Sequence, residues 1–381
     1  MNSFEYYNPT RVIFGAGAIG NVGPQTALWG KKALVLTTRS VTKRLGIFDR
    51  VKASLEKAGV ESVDMFGVDP NPRLTTVYEG RALCLKQGVD VIVALGGGSV
   101  IDCAKAIAYA VFDDGDLWDF FTGKRVPPGG LPIIAVSTIS GTGSEMNTNC
   151  VITHEHLDQK YSTHFVFSYP KTAIIDPELH VTVPPYLTAC GMTDTISHVL
   201  EKYFDGTQQT PMQDRLAEGV TMTVFENENV LCDPHNMALR ANLSWASVLA
   251  LNGLNDAGRG SGYYDAHTIE MEISARYDVA HGAGLAVVHP AWMTYLCRKN
   301  PEKFAHFANR VFGITGGAME SGLAGIAALK EKFAGWGMPA RLRDMNVPKE
   351  DLSVIAHAAV TSPEGEPLNE EDVYNVLLSC Y

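Results

Sequence analysis

The sequence predicts two domains: an α/β domain built on a parallel sheet over residues 1–184, and an all-helical domain over 185–381. Three observations predict it. The chain has 381 residues, more than one compact core of ordinary size organises. Its first half alternates short, continuously apolar runs with helical stretches, the pattern of strands covered on both faces. After Val183-Pro184-Pro185 that alternation stops, and no convincing strand follows.

Taken in order, strands are expected at 33–37 (ALVLT), 91–95 (VIVAL), 133–137 (IIAVS) and 173–176 (AIID). Each is rich in β-branched or aliphatic residues and too short for a helix. Helices are expected between them at 41–58, 74–88 and 99–111. In the second half, 186–204, 212–229, 236–257, 263–276 and 320–335 carry helical spacing or helix-favouring composition. There is no internal repeat and no low-complexity segment.

Bulk properties narrow the function. Apolar residues make up 46% and charged residues 19%, an ordinary globular composition. The 31 basic and 42 acidic side chains give a net charge of −11, which argues against general affinity for nucleic acid or anionic membrane. A local basic pocket for a phosphorylated cofactor remains compatible with it. No apolar run reaches membrane-spanning length. The opening MNSFEYYNPT lacks a basic-then-apolar leader. The seven cysteines are scattered and free of CxxC spacing, so a reduced, cytoplasmic protein without disulfides or cysteine-ligated zinc is expected.

Three small-residue loops follow strands. Gly96-Gly97-Gly98-Ser99-Val100-Ile101-Asp102 stands between VIVAL and a helical run, where glycines let a phosphate approach and the helix N-terminus offers free N–H groups. Ser99 or Asp102 could equally cap that helix. The literal GxGxxG is elsewhere, at Gly15-Ala16-Gly17-Ala18-Ile19-Gly20. An acid should stand about 20 residues beyond such a fingerprint. The next strand instead ends Thr37-Thr38-Arg39-Ser40, so this motif is taken as a turn. The third loop is Ser137–Glu145 (STISGTGSE), able to hydrogen-bond a phosphate, ribose or carboxamide, or to be a self-satisfied turn.

A metal-type constellation lies in the second half. Asp194 and His198 are four apart in GMTDTISHVLEKY and share one helical face. His267 and His281 stand in DAHTIEMEISARYDVAHGAG, with Gly282 placed to let backbone pass close by. One carboxylate and three imidazoles suit Fe²⁺, Zn²⁺ or a similar ion. On spacing alone, Asp194 and His198 are better explained by a helix-surface hydrogen bond than by a metal site. His154 and His156 alternate along a strand-like segment, but nothing converges with them.

The chain resembles the iron-containing (group III) alcohol dehydrogenases, most closely their butanol-dehydrogenase-like branch. The resemblance covers nearly the whole chain and rests on the order of many motifs: NPTRVIFGAGAIGNVG, VDPNPRLTTVYEG, LGGGSVIDCAKAIA, STISGTGSEMN, DPELHVTVP, GMTDTISHVLE, YDAHTIEMEISARYDVAHGAGLAVVHPAWM and PLNEEDVYNVL. It implies a dehydroquinate synthase-like two-domain fold, with an N-terminal dinucleotide-binding domain and a C-terminal metal domain. It places metal ligands on Asp194, His198, His267 and His281. The pyrophosphate loop falls on Gly96, Gly97, Gly98 and Ser99, with Asp102 beside it, and cofactor-contacting hydroxyls on Thr138 and Thr142. Asn71, Asn147 and Lys160 match further positions around the cofactor.

Two departures from the family pattern matter. The second histidine of its HxxxH is Met271 here, which cannot relay a proton and is a poor ligand for a hard divalent ion. The loop Thr38-Arg39-Ser40 stands where relatives are glycine-rich, and Arg39 with no acid beside it leans toward a 2′-phosphate, hence NADP(H) over NAD(H). The resemblance thus implies an NAD(P)-linked, divalent-metal-dependent oxidoreductase, with Fe²⁺ ahead of Zn²⁺. It would act on small primary alcohols or aldehydes by hydride transfer, as a homodimer or higher homo-oligomer. The rival readings are a glycerol-dehydrogenase-like polyol oxidoreductase, a lyase of the dehydroquinate synthase type, and a non-catalytic relative.

Overall fold

A computed structural model describes residues 1–260, 264–365 and 368–381. The first half contains β1 (Arg11–Phe14), α1 (Val22–Thr26), β2 (Lys32–Thr38), α2 (Val41–Arg44), α3 (Ile47–Lys57), β3 (Glu61–Val68), α4 (Leu74–Gln87), β4 (Val91–Gly96), α5 (Gly98–Ala110), α6 (Trp118–Phe121), β5 (Ile133–Ser137), β6 (Asn149–His154), β7 (Gln159–His164) and β8 (Thr172–Ile175). The second half contains α7 (Pro185–Tyr203), α8 (Pro211–Glu226), α9 (Met237–Ala250), α10 (Asp265–Tyr277), α11 (His281–Lys299), α12 (Pro301–Phe312), α13 (Ala318–Gly335), α14 (Leu352–Thr361) and α15 (Glu370–Ser379). Among the described residues no strand follows β8.

The fold class is the expected one, and the deviations have physical causes. The helix expected over 41–58 is broken into α2 and α3 by Gly46, at φ 69. The helix expected to 257 stops at Ala250, and Gly253 and Gly258 beyond it adopt positive φ. Position 263 of the expected 263–276 helix lies outside the described residues. The longest helix not anticipated, α11, is apolar along its length and carries Pro290 inside it, so it shows neither a clean period nor an uninterrupted helical composition.

Contacts divide the chain into two compact units. One joins Tyr7–Val183 with Pro234–Val248; the other joins Met1–Tyr6, Pro184–Asp233 and Leu249–Tyr381. The first unit is organised by a six-stranded sheet of order β1-β8-β5-β4-β2-β3, parallel at every pairing. Alternate strand residues feed opposite faces. Leu34, Leu36, Ile92, Ala94, Ile133 and Ala135 pack into one core with α4 and α5. Ala33, Val35, Val91, Val93, Ile134 and Val136 pack into another with Phe48, Val51 and Leu55 of α3. Burying both faces explains why these strands read as unbroken apolar runs. β2, β4 and β5 are neighbours, so the segments after their carboxyl ends meet along one edge of the sheet. A separate antiparallel hairpin, β6–β7, completes this unit.

In the second unit, Ile269 and Ile273 of α10, Val288 and Trp292 of α11, Ile355 of α14 and Val376 of α15 share one core. α7 begins at Pro185, where proline suits the first helical turn, and is buried from Thr188 to Tyr203. A helix enclosed on every side carries its polar side chains inward, where each needs a partner.

Candidate functional site

The buried polar side chains of α7 include Asp194, His198 and Glu201, one and two turns apart on one face. α10 brings His267 to them and ends at Asp278, which takes the left-handed conformation (φ 50). α11 then starts at His281. Its first turn lies against α7 so closely that a Cβ on Gly282 would sit 2.1 Å from the Cys190 carbonyl oxygen. The expectation that Gly282 permits a close backbone approach is met there.

These side chains converge on one atom, Asp194 Oδ1. His198 Nδ1 stands 3.3 Å from it, His267 Nε2 3.5 Å and His281 Nε2 3.7 Å. Asp194, His267 and His281 form a compact triad whose donor atoms all lie within 4.8 Å of one another. His198 lies alongside, its ring 4.4 Å from that of His267. Asp194, His198 and His267 are buried, and His281 is 25% exposed at its side chain, leaving one open flank. Burial favours a neutral Asp194, yet the three imidazoles hold its carboxyl below the usual carboxylate range. Burial and the neighbouring imidazoles push His198 down despite Asp194. His267 goes the other way: burial opposes its charged form, but Glu201 and Asp194 raise it.

Asp194 Oδ1, His198 Nδ1 and His267 Nε2 are buried without a hydrogen-bond partner. Three such atoms around one point are costly unless something electron-accepting joins them. The donor set of one carboxylate and three imidazoles fits a divalent cation.

Two glutamates that the sequence reading did not assign support this cluster. Glu201 accepts the His267 backbone N–H at 3.1 Å and places its other oxygen 3.3 Å from His267 Nδ1. Glu270, fully buried, faces His281 Nδ1 with one oxygen and the Ser274 hydroxyl with the other. A carboxylate behind His267 and another behind His281 fix which ring nitrogen of each points inward. Room for Glu270 depends on Gly284, since a Cβ there would come within 2.4 Å of Glu270 Oε1. Glu201 is at i+7 from Asp194 and Glu270 at i+3 from His267, so helical spacing contained the signal. Met271, at i+4 from His267, is buried and carries no group able to hold a proton.

The α/β unit gathers the other expected residues. Gly96, Gly97, Gly98 and Ser99 make the turn from β4 into α5. Thr138 N–H donates to the Gly96 carbonyl at 3.1 Å, and a Cβ on Gly98 would lie 2.4 Å from Thr142 Oγ1. The glycine turn and the segment after β5 therefore pack backbone to side chain, which alone accounts for a glycine at 98. Asp102 accepts from Ser144 Oγ at 2.5 Å and from the Val151 N–H at 3.2 Å, so its carboxylate ties α5 to its surroundings. Asn147 accepts from Lys105 at 3.1 Å. Lys160 on β7 donates to Asn71, which sits after β3 at φ 52, at 2.8 Å. At the carboxyl end of β2, Thr38 is followed by Arg39 and by Ser40, the residue preceding α2. Arg39 is exposed and bidentate to Asp69, at 2.8 Å through both nitrogens. The acid absent from the β2 end thus arrives from just beyond β3, the neighbouring strand.

Comparison with known proteins identifies the family. The pattern of the iron-containing alcohol dehydrogenase family matches residues 9–177, and the C-terminal pattern of the Fe-containing alcohol dehydrogenase family matches 188–381. The chain is 39% identical to a probable NADH-dependent butanol dehydrogenase of Bacillus subtilis, covering 99% of each chain. It is 33% identical to an NADPH-dependent aldehyde reductase of Escherichia coli, over 93% of this chain and 92% of that one. Among solved structures, an NADH-dependent butanol dehydrogenase A from Thermotoga maritima superimposes with a TM-score of 0.96 at 40% identity, covering 100% of this chain and 99% of that one. The ordered motifs, the two-part fold and these full-length matches lead to one conclusion: the chain belongs to the iron-containing alcohol dehydrogenase family.

Proposed function

We propose that this protein is a metal-dependent, NAD(P)-linked alcohol dehydrogenase and aldehyde reductase for small primary alcohols or aldehydes, butanol and butanal among them. The convergence of three imidazoles on Asp194 Oδ1, with buried donor atoms left without partners, carries the reading. Asp194, His198, His267 and His281 would hold the cation, Fe²⁺ first and Zn²⁺ second. When bound, the cation supplies Lewis acidity to the alcohol or aldehyde oxygen, and the nicotinamide supplies the hydride donor or acceptor. Glu201 and Glu270 hold His267 and His281 with the correct nitrogens inward. The exposed flank at His281 admits substrate. Met271 leaves no proton-transferring side chain at its position.

Gly96, Gly97, Gly98, Ser99 and the N-terminus of α5 would receive the pyrophosphate. Thr138 and Thr142 would lie beside the cofactor, and Asp102, Asn147, Lys160 and Asn71 shape the surroundings. The relatives' names support NAD(H) as the cofactor. The leaning toward NADP(H) rested on a free Arg39, and that guanidinium faces Asp69, whose carboxylate would repel a 2′-phosphate. In the same proposal, residues 1–184 serve the cofactor, joined by the 234–248 segment that packs with them, and the rest of 185–381 serves the metal. The chain works as a homodimer or higher assembly, for which the outer edge of β1 offers a pairing surface. Seven free cysteines support a cytoplasmic location. No helix among the described residues is long and apolar enough to cross a membrane.

The test is NAD(P)H oxidation against butanal, with and without complete metal removal, alongside metal analysis of fresh protein. Activity that survives metal removal sinks the reading.

A further inference from the structure

Residues 138–149 run from the end of β5 to the first residue of β6 and carry Thr138, Thr142 and Asn147, yet between the two strands their only regular structure is one short turn at Ser144–Met146. Side chains from elsewhere hold the segment. On one side stands α9. Ser247 Oγ accepts the Gly141 N–H at 2.7 Å, and Ser140, Ser244 and His180 Nδ1 form a cluster, Ser244 Oγ lying 2.9 Å from His180 and 3.1 Å from Ser140. On the other side stands Lys105 of α5, with its side chain 0% exposed. Its Nζ donates to Ser144 Oγ at 2.7 Å, Asn147 Oδ1 at 3.1 Å and the Asn149 carbonyl at 2.6 Å. The Asp102 carboxylate, 4.0 Å away, balances its charge and also takes the Ser144 hydroxyl.

We propose that Lys105 is a positioning residue for the nicotinamide cofactor, a buried ammonium that holds residues 138–149 in the shape the cofactor requires. This rests on the reading of the β2–β4–β5 edge as the cofactor site. A buried ion pair is a weak device for stability, because an apolar side chain of similar volume commonly does as well. What an ammonium adds is three directed donors on one atom. Here they fix two side chains and one carbonyl of an otherwise irregular segment. Asn147 relays that constraint. Its Oδ1 also accepts the Asn149 N–H at 2.9 Å, and its Nδ2 donates to the Gly143 carbonyl at 3.0 Å. Thr142, one residue earlier, is the side chain that fills the space left by the missing Cβ of Gly98. The path from Lys105 to the glycine turn is therefore continuous: Lys105, Asn147, Gly143, Thr142, Gly98. Asn147 serves the cofactor through the loop, since its amide is committed inside it.

The experiment uses the full-length, metal-loaded enzyme. Lys105→Met keeps the apolar stem and removes the donors. NADH binding by fluorescence titration, steady-state kinetics at saturating butanal, and metal content are measured for it and for Gly98→Ala in parallel. The expected result for Lys105→Met is a rise of roughly tenfold in Kd and KM for NADH, with kcat at saturating NADH and metal content held near the parent's. An unchanged KM, or a fall in kcat with no change in KM, overturns the role of Lys105. If Gly98→Ala weakens NADH binding and Lys105→Met does not, Lys105 alone is refuted. If neither variant alters NADH binding, the cofactor-site reading itself is refuted. Should Lys105→Met fail to fold, Ser144→Ala removes one of its acceptors. A smaller KM rise with unchanged kcat supports the proposal, and an unchanged KM overturns it.

Discussion

The two polar clusters of this molecule differ in how well they satisfy themselves. In the helical unit, Asp194 Oδ1, His198 Nδ1 and His267 Nε2 are buried without hydrogen-bond partners. At the carboxyl edge of the sheet, Asp102, Lys105, Ser144 and Asn147 bond to one another, and none of them has a buried side-chain atom without a partner. The first cluster is incomplete by itself, and a cation is the simplest completion. The second is complete, and what it offers outward is backbone, at glycines and at a helix N-terminus. A metal centre thus shows itself as unmet need in side chains. A dinucleotide site shows itself as close approach of main chain.

Several substitutions would break or sharpen this contrast. The largest effect is expected for His198→Ala. If the helical cluster is incomplete without a cation, losing one donor abolishes metal retention and turnover together. Metal analysis of the purified variant checks it, and full metal content would end the contrast. Next comes Glu270→Gln, which weakens the hold on His281 and should lower metal affinity by roughly ten- to a hundredfold. Competition with a graded chelator measures it, and NADH affinity should not move. Gly98→Ala tests the other side. Its new Cβ meets Thr142, and such overpacking costs about 1–3 kcal/mol. KM for NADH should rise while metal content stays constant. A variant that lost metal instead would show that the two clusters are not separable.

The smallest effect concerns acid. His180, buried against Ser137 and Ser244, is pushed down from 6.5 to about 4 by burial. A histidine depressed on folding binds a proton more readily when unfolded, so stability is lost as pH falls from 6.5 toward 4. His180→Asn should flatten part of that fall in Tm. An unaltered slope would mean that the loss arises elsewhere.

How much of this was legible in the sequence varies by the same physics. β2, β4, β5 and β8 were legible because burial on both faces makes a strand uniformly apolar. β3 was not, for it forms the edge of the sheet, and only Met65 and Val68 are buried in a sequence that also contains Glu61, Asp64 and Gly67. Asp194 and His198 were legible as an i, i+4 pair, but His281 could join them only by recognition of the family pattern. No local period connects residue 281 to residue 194. Glu270 stands at i+3 from His267, but the imidazole it holds is that of His281 on the next helix, and no period along α10 points to that pairing. Lys105 was hidden inside a run that reads as plain helix, CAKAIAYAV, where a lysine is ordinarily assumed to reach solvent. Asp69 was not legible because it stands just beyond β3, and nothing local to β2 shows which strand pairs with it.

The serines of α9 that hold residues 140 and 141 lie more than a hundred positions along the chain from them, beyond α7 and α8. The sheet-based unit is therefore not a contiguous stretch of sequence. Its last pieces arrive only after the first helices of the other unit have been made, so the loop at the proposed cofactor site cannot gain its hydrogen bonds to Ser244 and Ser247 before then. Recombination follows the same constraint. A chimera joined at residue 184 would set this chain's loop against another protein's 234–248 segment. Exchange between relatives would preserve the loop only where that segment also supplied hydroxyls matching Ser244 and Ser247.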